Sequence, residues 1–298
     1  MSNVKVVVIT RYRSYEMVMF FLKRRYQVVL GYGVDDEKDR LAALFATHHE
    51  YLNLFRLDPT SRQGVHLFVE EIIDKCDYID ILINSHAEFD AVTHTSCMNS
   101  HLSYNCASVV RMIHLLEPLM LNPNKDDSMV INFVPRLSTC RGTVVDFDFL
   151  QSHNSQHGLN MEETYFFSNN IKSFLMSALL LQIISVRINH YYQKRSKKYR
   201  VLLLNHSLQD IMMGAHTYEL GLILKLDQHF TKYQSCKMID IVDVIESGRP
   251  HLNCLLAMST KERVRLPLHD CIHDVSKCCD TAKVLFEVMD LPSTLWAS

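Results

Sequence analysis

The sequence predicts an α/β fold, a doubly wound parallel sheet of about seven strands with helices on both faces. Three observations lead there. Val4 to Thr10 is a near-continuous β-branched run, as expected of a parallel strand buried on both faces, and Gln27 to Tyr32, Tyr78 to Asn84, Ser128 to Val134 and Arg200 to Asn205 repeat the pattern. Between these runs lie segments of helical period, with Val18, Phe21 and Leu22 on one face of the first and Val109, Ile113, Leu116 and Met120 on another. The length of 298 residues suits one α/β domain over 1–298.

Composition narrows the classes. A formal charge of −2 and a sequence pI near 6.8 give no bias toward nucleic acid or an anionic membrane. Nine cysteines show no disulfide framework, and no secretory apolar region follows Met1, so a cytoplasmic, reducing setting is expected. The apolar stretch Phe174 to Ile188 is broken by Ser177, Gln182, Ser185 and Arg187, which predicts a buried helix rather than a transmembrane segment. The basic run Lys194 to Arg200 suits a helix C-terminus.

Taken in order, the first strand should be central. A helix over Tyr15 to Arg25 and the strand Gln27 to Tyr32 complete a βαβ opening. Dinucleotide-binding proteins place glycines in that first turn so that backbone N–H groups can approach a pyrophosphate. Here the turn runs Arg11-Tyr-Arg-Ser-Tyr-Glu-Met17, without glycine. Gly31 and Gly33 come only after the second strand, and Asp35, Asp36 and Glu37 read as the solvated start of a helix. A helix over Asp39 to His49, a strand over Tyr51 to Leu57, a cap from Asp58 with Thr60 and a helix over Val65 to Cys76 follow. Asn105 to Leu121 reads as a long helix with Pro118 near its end. His86, His153 and His157, and the group His269, Cys271, His273, lack metal-ligand spacing, so no metal is expected.

The stretch Tyr165-Phe-Phe-Ser-Asn169 resembles the Tyr-x-x-Ser-Lys motif of the short-chain dehydrogenase/reductase family, which implies a Rossmann-like fold and nicotinamide chemistry. Val8-Ile-Thr10 resembles the start of the family's Thr-Gly-x-x-x-Gly-x-Gly turn, and Tyr78 to Asn84 its Asp-Ile-Leu-Val-Asn strand. The long segment Arg141 to Glu163 and the pair Asp270-Cys271 resemble the retinol dehydrogenase-like branch. By the resemblance, Tyr165 is the acid/base tyrosine and Asn105 stands for the active-site asparagine, although a helix-start asparagine accounts for it equally well. Thr10, Asp58 and Asn84 are the corresponding cofactor-side positions.

The departures from that pattern fall on the chemistry. The lysine position is Asn169, with no charge to favour a phenolate, and Lys172 lies seven residues from Tyr165, about 10 Å along a helix axis. The serine position is Val134-Pro135, and Ser138 comes three residues later. His206 is kept, followed by Ser207-Leu208 where the family has Pro-Gly. Two readings follow. In the first the chain is a catalytically silent relative, a binding or scaffolding protein with no cofactor, with an unidentified protein partner or as a homodimer. In the second it is a divergent NAD(H)- or NADP(H)-dependent oxidoreductase acting on a retinoid, steroid or other lipophilic carbonyl.

Overall fold

The computed structural model describes residues 4–12, 15–85, 103–121, 128–135, 199–206 and, in part, 177–192. Six strands form one parallel sheet: β1 (Val6–Ile9), β2 (Gln27–Tyr32), β3 (Leu52–Arg56), β4 (Ile81–Asn84), β5 (Ser128–Pro135) and β6 (Tyr199–His206). Their order is β3-β2-β1-β4-β5-β6, the doubly wound order in which the direction of winding reverses beside β1. The fold class and the central place of the first strand are as the sequence predicts. The expected seventh strand lies outside the described residues.

Strand alternation divides the core into two layers. Val6 and Val8 point to the side covered by α3 (Arg62–Lys75), α4 (Ser108–Met120) and helical residues within 177–192, among them Leu180, Ile184 and Ile188. Val7 and Ile9 point to the side covered by α1 (Tyr15–Lys23) and α2 (Asp35–Leu44). Each fully buried aliphatic side chain of this kind contributes about 1.5–3 kcal/mol. That is why the central runs are apolar without interruption. The buried residues of 177–192 bear out the expected buried helix where it is described, and no helix among the described residues is long and apolar enough to cross a membrane.

Element ends differ from the periodicity in ways that side chains explain. The first helix stops at Lys23 rather than Arg25, because Arg25 sits in the left-handed region at φ 58° and the N–H groups of Arg24 and Arg25 close on Phe21 and Leu22. The second begins at Asp35, at the acidic residues read as a helix start, four residues before the periodic stretch that opens at Asp39. Only Leu41 of it is buried, so its first turn carries no apolar signal, and a 3₁₀ segment, Ala46–Tyr51, follows it. The third begins at Arg62, and its cap is Ser61, whose Oγ accepts the Gly64 N–H at 3.2 Å. Asp58 does not cap it. The long helix is entered through a short π turn, Ser103–Ala107, with Pro118 in its last turn as expected.

Candidate functional site

In a doubly wound sheet ligands bind at the carboxyl ends of the strands, beside the point where the winding reverses. Here that point is the end of β1. Thr10 continues the strand, its N–H donating to the Ile83 carbonyl at 3.0 Å, and its Oγ1 accepts the Ser85 N–H at 2.9 Å. Ser85 returns the tie twice: its Oγ donates to the Arg11 carbonyl at 2.7 Å and accepts the Arg11 N–H at 3.2 Å. The turn is thereby stitched to the end of β4. The Arg11 guanidinium then reaches across the edge and donates to the hydroxyl of Tyr104, which stands in the π turn before α4.

Beyond Arg11 the turn is filled with rings. Tyr15, the first residue of α1, stacks on Phe45 with ring centroids 5.5 Å apart and an interplanar angle of 8°, while Tyr12 meets Phe45 edge-on at 6.2 Å. Glu16 occupies the first turn of α1, so the positive end of that helix faces a carboxylate of its own chain. Burial first, and the Glu16 charge second, push the Tyr12 phenol above its ordinary value, with Arg40 acting the other way.

The glycines have local tasks. A Cβ on Gly31 would lie 2.3 Å from the Thr10 carbonyl oxygen, so β2 packs backbone to backbone against the end of β1. The Gly33 N–H donates to Glu37 Oε2 at 2.8 Å, which commits that carboxylate to the start of α2. Asp35, Asp36 and Glu37 form the acidic first turn of that helix, as the sequence suggests. Gly64 lets the first turn of α3 approach Asp58, whose carbonyl oxygen would be 2.5 Å from an added Cβ.

A cleft of about 240 Å³ opens beside this turn, at the ends of β1, β2 and β3. Its walls include Thr10, Arg11, Tyr32, Arg56, Asp58 and Tyr104. Two of the residues expected on the cofactor side, Thr10 and Asp58, are thus brought together. Asp58 Oδ1 accepts both the N–H and the hydroxyl of Thr60, at 3.0 and 2.5 Å, forming an Asx turn. Asn84 is placed elsewhere. Buried at the end of β4, it donates through Nδ2 to Asn132 Oδ1 at 2.7 Å, and Asn132 donates in turn to Ser185 Oγ at 3.0 Å.

Asn105 is buried in the π turn. Pro135 ends β5 opposite His206 of β6, so the position that the family fills with a serine carries no hydroxyl. Tyr165, Asn169, Lys172 and Ser138 lie outside the described residues, as do Asp270 and Cys271. No group of three or more ligating side chains suited to a metal occurs among the described residues. Sequence reasoning missed Arg56, Ser85 and Tyr104 as members of this edge. Arg56 had a faint signal, a strand-ending arginine two residues before Asp58; Tyr104 had none.

Neither a family model nor a curated protein sequence matches this chain. Solved structures do. An enoyl-[acyl-carrier-protein] reductase (NADH) from Aquifex aeolicus VF5 superposes with a TM-score of 0.55 at 14% identity, covering 81% of this chain and 87% of that one. A short-chain dehydrogenase/reductase from Burkholderia phymatum in complex with NAD gives 0.55 at 14%, over 83% and 88%. A "putative short-chain dehydrogenase/reductase" from Burkholderia xenovorans gives 0.50 at 15%, over 69% and 77%. At such identities the likeness shows a shared Rossmann-like fold and nothing about chemistry.

Proposed function

We propose that this chain is a short-chain dehydrogenase-like protein, of the retinol dehydrogenase-like branch, that has lost its nicotinamide site and works by binding rather than by hydride transfer. The observation that carries this reading is the β1–α1 turn. A pyrophosphate at a helix N-terminus needs free backbone N–H groups, small side chains and positive potential. Here the Arg11 N–H is spent on Ser85, the rings of Tyr12 and Tyr15 pack on Phe45, and Glu16 brings a like charge to the helix end. The replacements at Asn169 and Pro135 act in the same direction, since they remove the charge beside Tyr165 and the hydroxyl that would orient a carbonyl.

The same reading takes residues 1–298 as one domain in a reducing, cytoplasmic setting, with a protein partner or a second copy of the chain as what it binds. Tyr165 then serves packing, and Asn105 and Asn84 serve the scaffold. The alternative is a divergent NAD(H)- or NADP(H)-dependent oxidoreductase of lipophilic carbonyls, and the open cleft at the ends of β1–β3 is the observation in its favour.

Calorimetric titration of the full chain with NADH and with NADPH separates the two. Binding of neither cofactor below about 1 mM, a free energy of about −4.1 kcal/mol, is expected. Sub-millimolar binding of either one overturns the reading. Turnover of retinaldehyde or a steroid ketone that Tyr165→Phe abolishes would establish the alternative.

A further inference from the structure

We infer that β3, the edge strand of the sheet, pairs antiparallel with β3 of a second copy of this chain about a two-fold axis at Asn53. Of the partners allowed by the reading above this names the second copy, and it does not depend on the state of the cleft. An edge strand exposes a row of unpaired backbone groups, which proteins blunt with lysine, proline or a bulge. Leu52-Asn-Leu-Phe-Arg56 contains neither residue, and its ladder to β2 runs unbroken. No described strand lies beyond it, and its first four residues are only half-buried.

The ladder fixes which groups face outward. The Leu57 N–H donates to the Tyr32 carbonyl, so Asn53, Phe55 and Leu57 turn their backbone groups toward β2, while Leu52, Leu54 and Arg56 turn theirs away from the sheet. Leu52 spends its N–H on the His49 carbonyl and keeps its own carbonyl. A two-fold axis at Asn53 sets Leu52 against the partner's Leu54, so the Leu54 N–H of each copy meets the Leu52 carbonyl of the other. The two Asn53 residues then form a non-hydrogen-bonded pair on the axis, with Cα atoms about 4.5 Å apart. Asn53 Nδ2 is buried with no hydrogen-bond partner, a costly state for a donor, and a turn of the side chain to the edge gives it the partner's Oδ1. Exposed Glu50 falls level with the partner's Arg56, two opposite charges with no ion-pair partner among the described residues. The neighbouring symmetric register, with its axis at Leu54, is worse. It sets Asn53 against Phe55, Leu52 against Arg56 and Glu50 level with Asp58, a like charge.

The test is analytical ultracentrifugation of the full chain, with the fold of each variant checked by circular dichroism. A dimer is expected at about 0.1 mM protein. Arg56→Glu and Glu50→Arg, both at exposed positions, should each raise its dissociation constant about tenfold, and the double charge reversal should bring it back to within about threefold of wild type. Under oxidising conditions Asn53→Cys should give a disulfide-linked dimer beyond any that wild type forms, because the separation on the axis lies within the range of about 4.4–6.8 Å that a disulfide spans. Leu54→Cys, two residues out of register with its own copy, should not. A chain that stays monomeric at about 0.1 mM overturns the inference and leaves the loss of the nicotinamide site standing. So does a dimer that the single charge reversals leave unchanged, or one in which Leu54→Cys cross-links as readily as Asn53→Cys. Sub-millimolar binding of NADH or NADPH overturns the proposed function instead, and leaves this pairing in place.

Discussion

At the ends of β1 and β4 the chain closes on itself, whereas one strand over, at the ends of β2 and β3, it leaves a cleft. The closed side is held by hydrogen bonds among Thr10, Arg11 and Ser85 and by the stacking of Tyr12 and Tyr15 on Phe45. The open side is walled by Tyr32, Arg56 and Asp58. Both sides hang from the same parallel ladder, in which Ile9 pairs with Leu30 and with Ile83, and Gly31 pairs with Phe55. The strand order therefore creates the crevice, and a handful of side chains decides which part of it is filled. A shared sheet does not transmit a shared activity when those side chains differ.

The largest effect is expected where the two sides touch. Gly31→Ala would set a methyl group 2.3 Å from the Thr10 carbonyl, an atom of the sheet itself that cannot swing aside. Stability should fall by about 2–3 kcal/mol, the upper part of the usual cost of overpacking, measured by urea unfolding. Wild-type stability in that variant would mean that β2 and the end of β1 are not in this close contact.

Next comes the buried amide ladder beneath the closed side. Asn132→Ala removes the acceptor of the Asn84 amide and the donor to Ser185, leaving Asn84 without its partner in the core. A loss of about 1–3 kcal/mol is expected by the same measurement. Ser85→Ala tests the stitch itself. It deletes the hydroxyl that both donates to and accepts from the Arg11 backbone, for about 0.5–1.5 kcal/mol, and faster hydrogen exchange should appear at the Arg11 amide while the β2–β3 amides stay protected. Equal change on both sides would erase the contrast between them.

Tyr15→Ala should cost less, about 0.5–1 kcal/mol, because the ring is 42% exposed and its stacking on Phe45 is what is lost. The smallest effect is alkaline. The folded Tyr12 phenol sits above its ordinary value of 10.0, so the folded state holds that proton more tightly than the unfolded chain does. Its contribution is fully present below pH 10 and is lost as pH rises through the folded value. Tyr12→Phe should flatten the fall in stability above pH 10; an unchanged profile would place the phenol in water rather than against Phe45.

Legibility in the sequence follows the range of the interaction. Gln27–Tyr32 is read to the residue, because every strand position after the first is buried and the run ends where Gly33 and Val34 turn the chain. The start of α2 is marked in the sequence only by its acidic residues, because its first turn is held by charge and by the Gly33–Glu37 bond rather than by apolar period. The sequence points to Asp58 with Thr60 as the cap of α3, while the structure spends that carboxylate on its own turn and gives the cap to Ser61. In both cases neighbouring polar residues compete for the same N–H groups, and residue type alone does not rank them.

By itself the sequence determined the parallel sheet, the central place of the first strand and the absence of glycine from the first turn. Each is a property of contiguous residues, set by burial of both sheet faces or by backbone freedom. What fills that turn was decided only in three dimensions. Ser85 lies 74 residues from Arg11, and Tyr104 lies 93 from it. Nothing in the local sequence of either residue marks it as a partner, since a hydrogen bond between side chains and backbone so far apart exists only once β4 is paired beside β1 and α4 has docked on the sheet. The cleft has the same origin, because Arg11, Arg56 and Tyr104 share a wall only through the strand order.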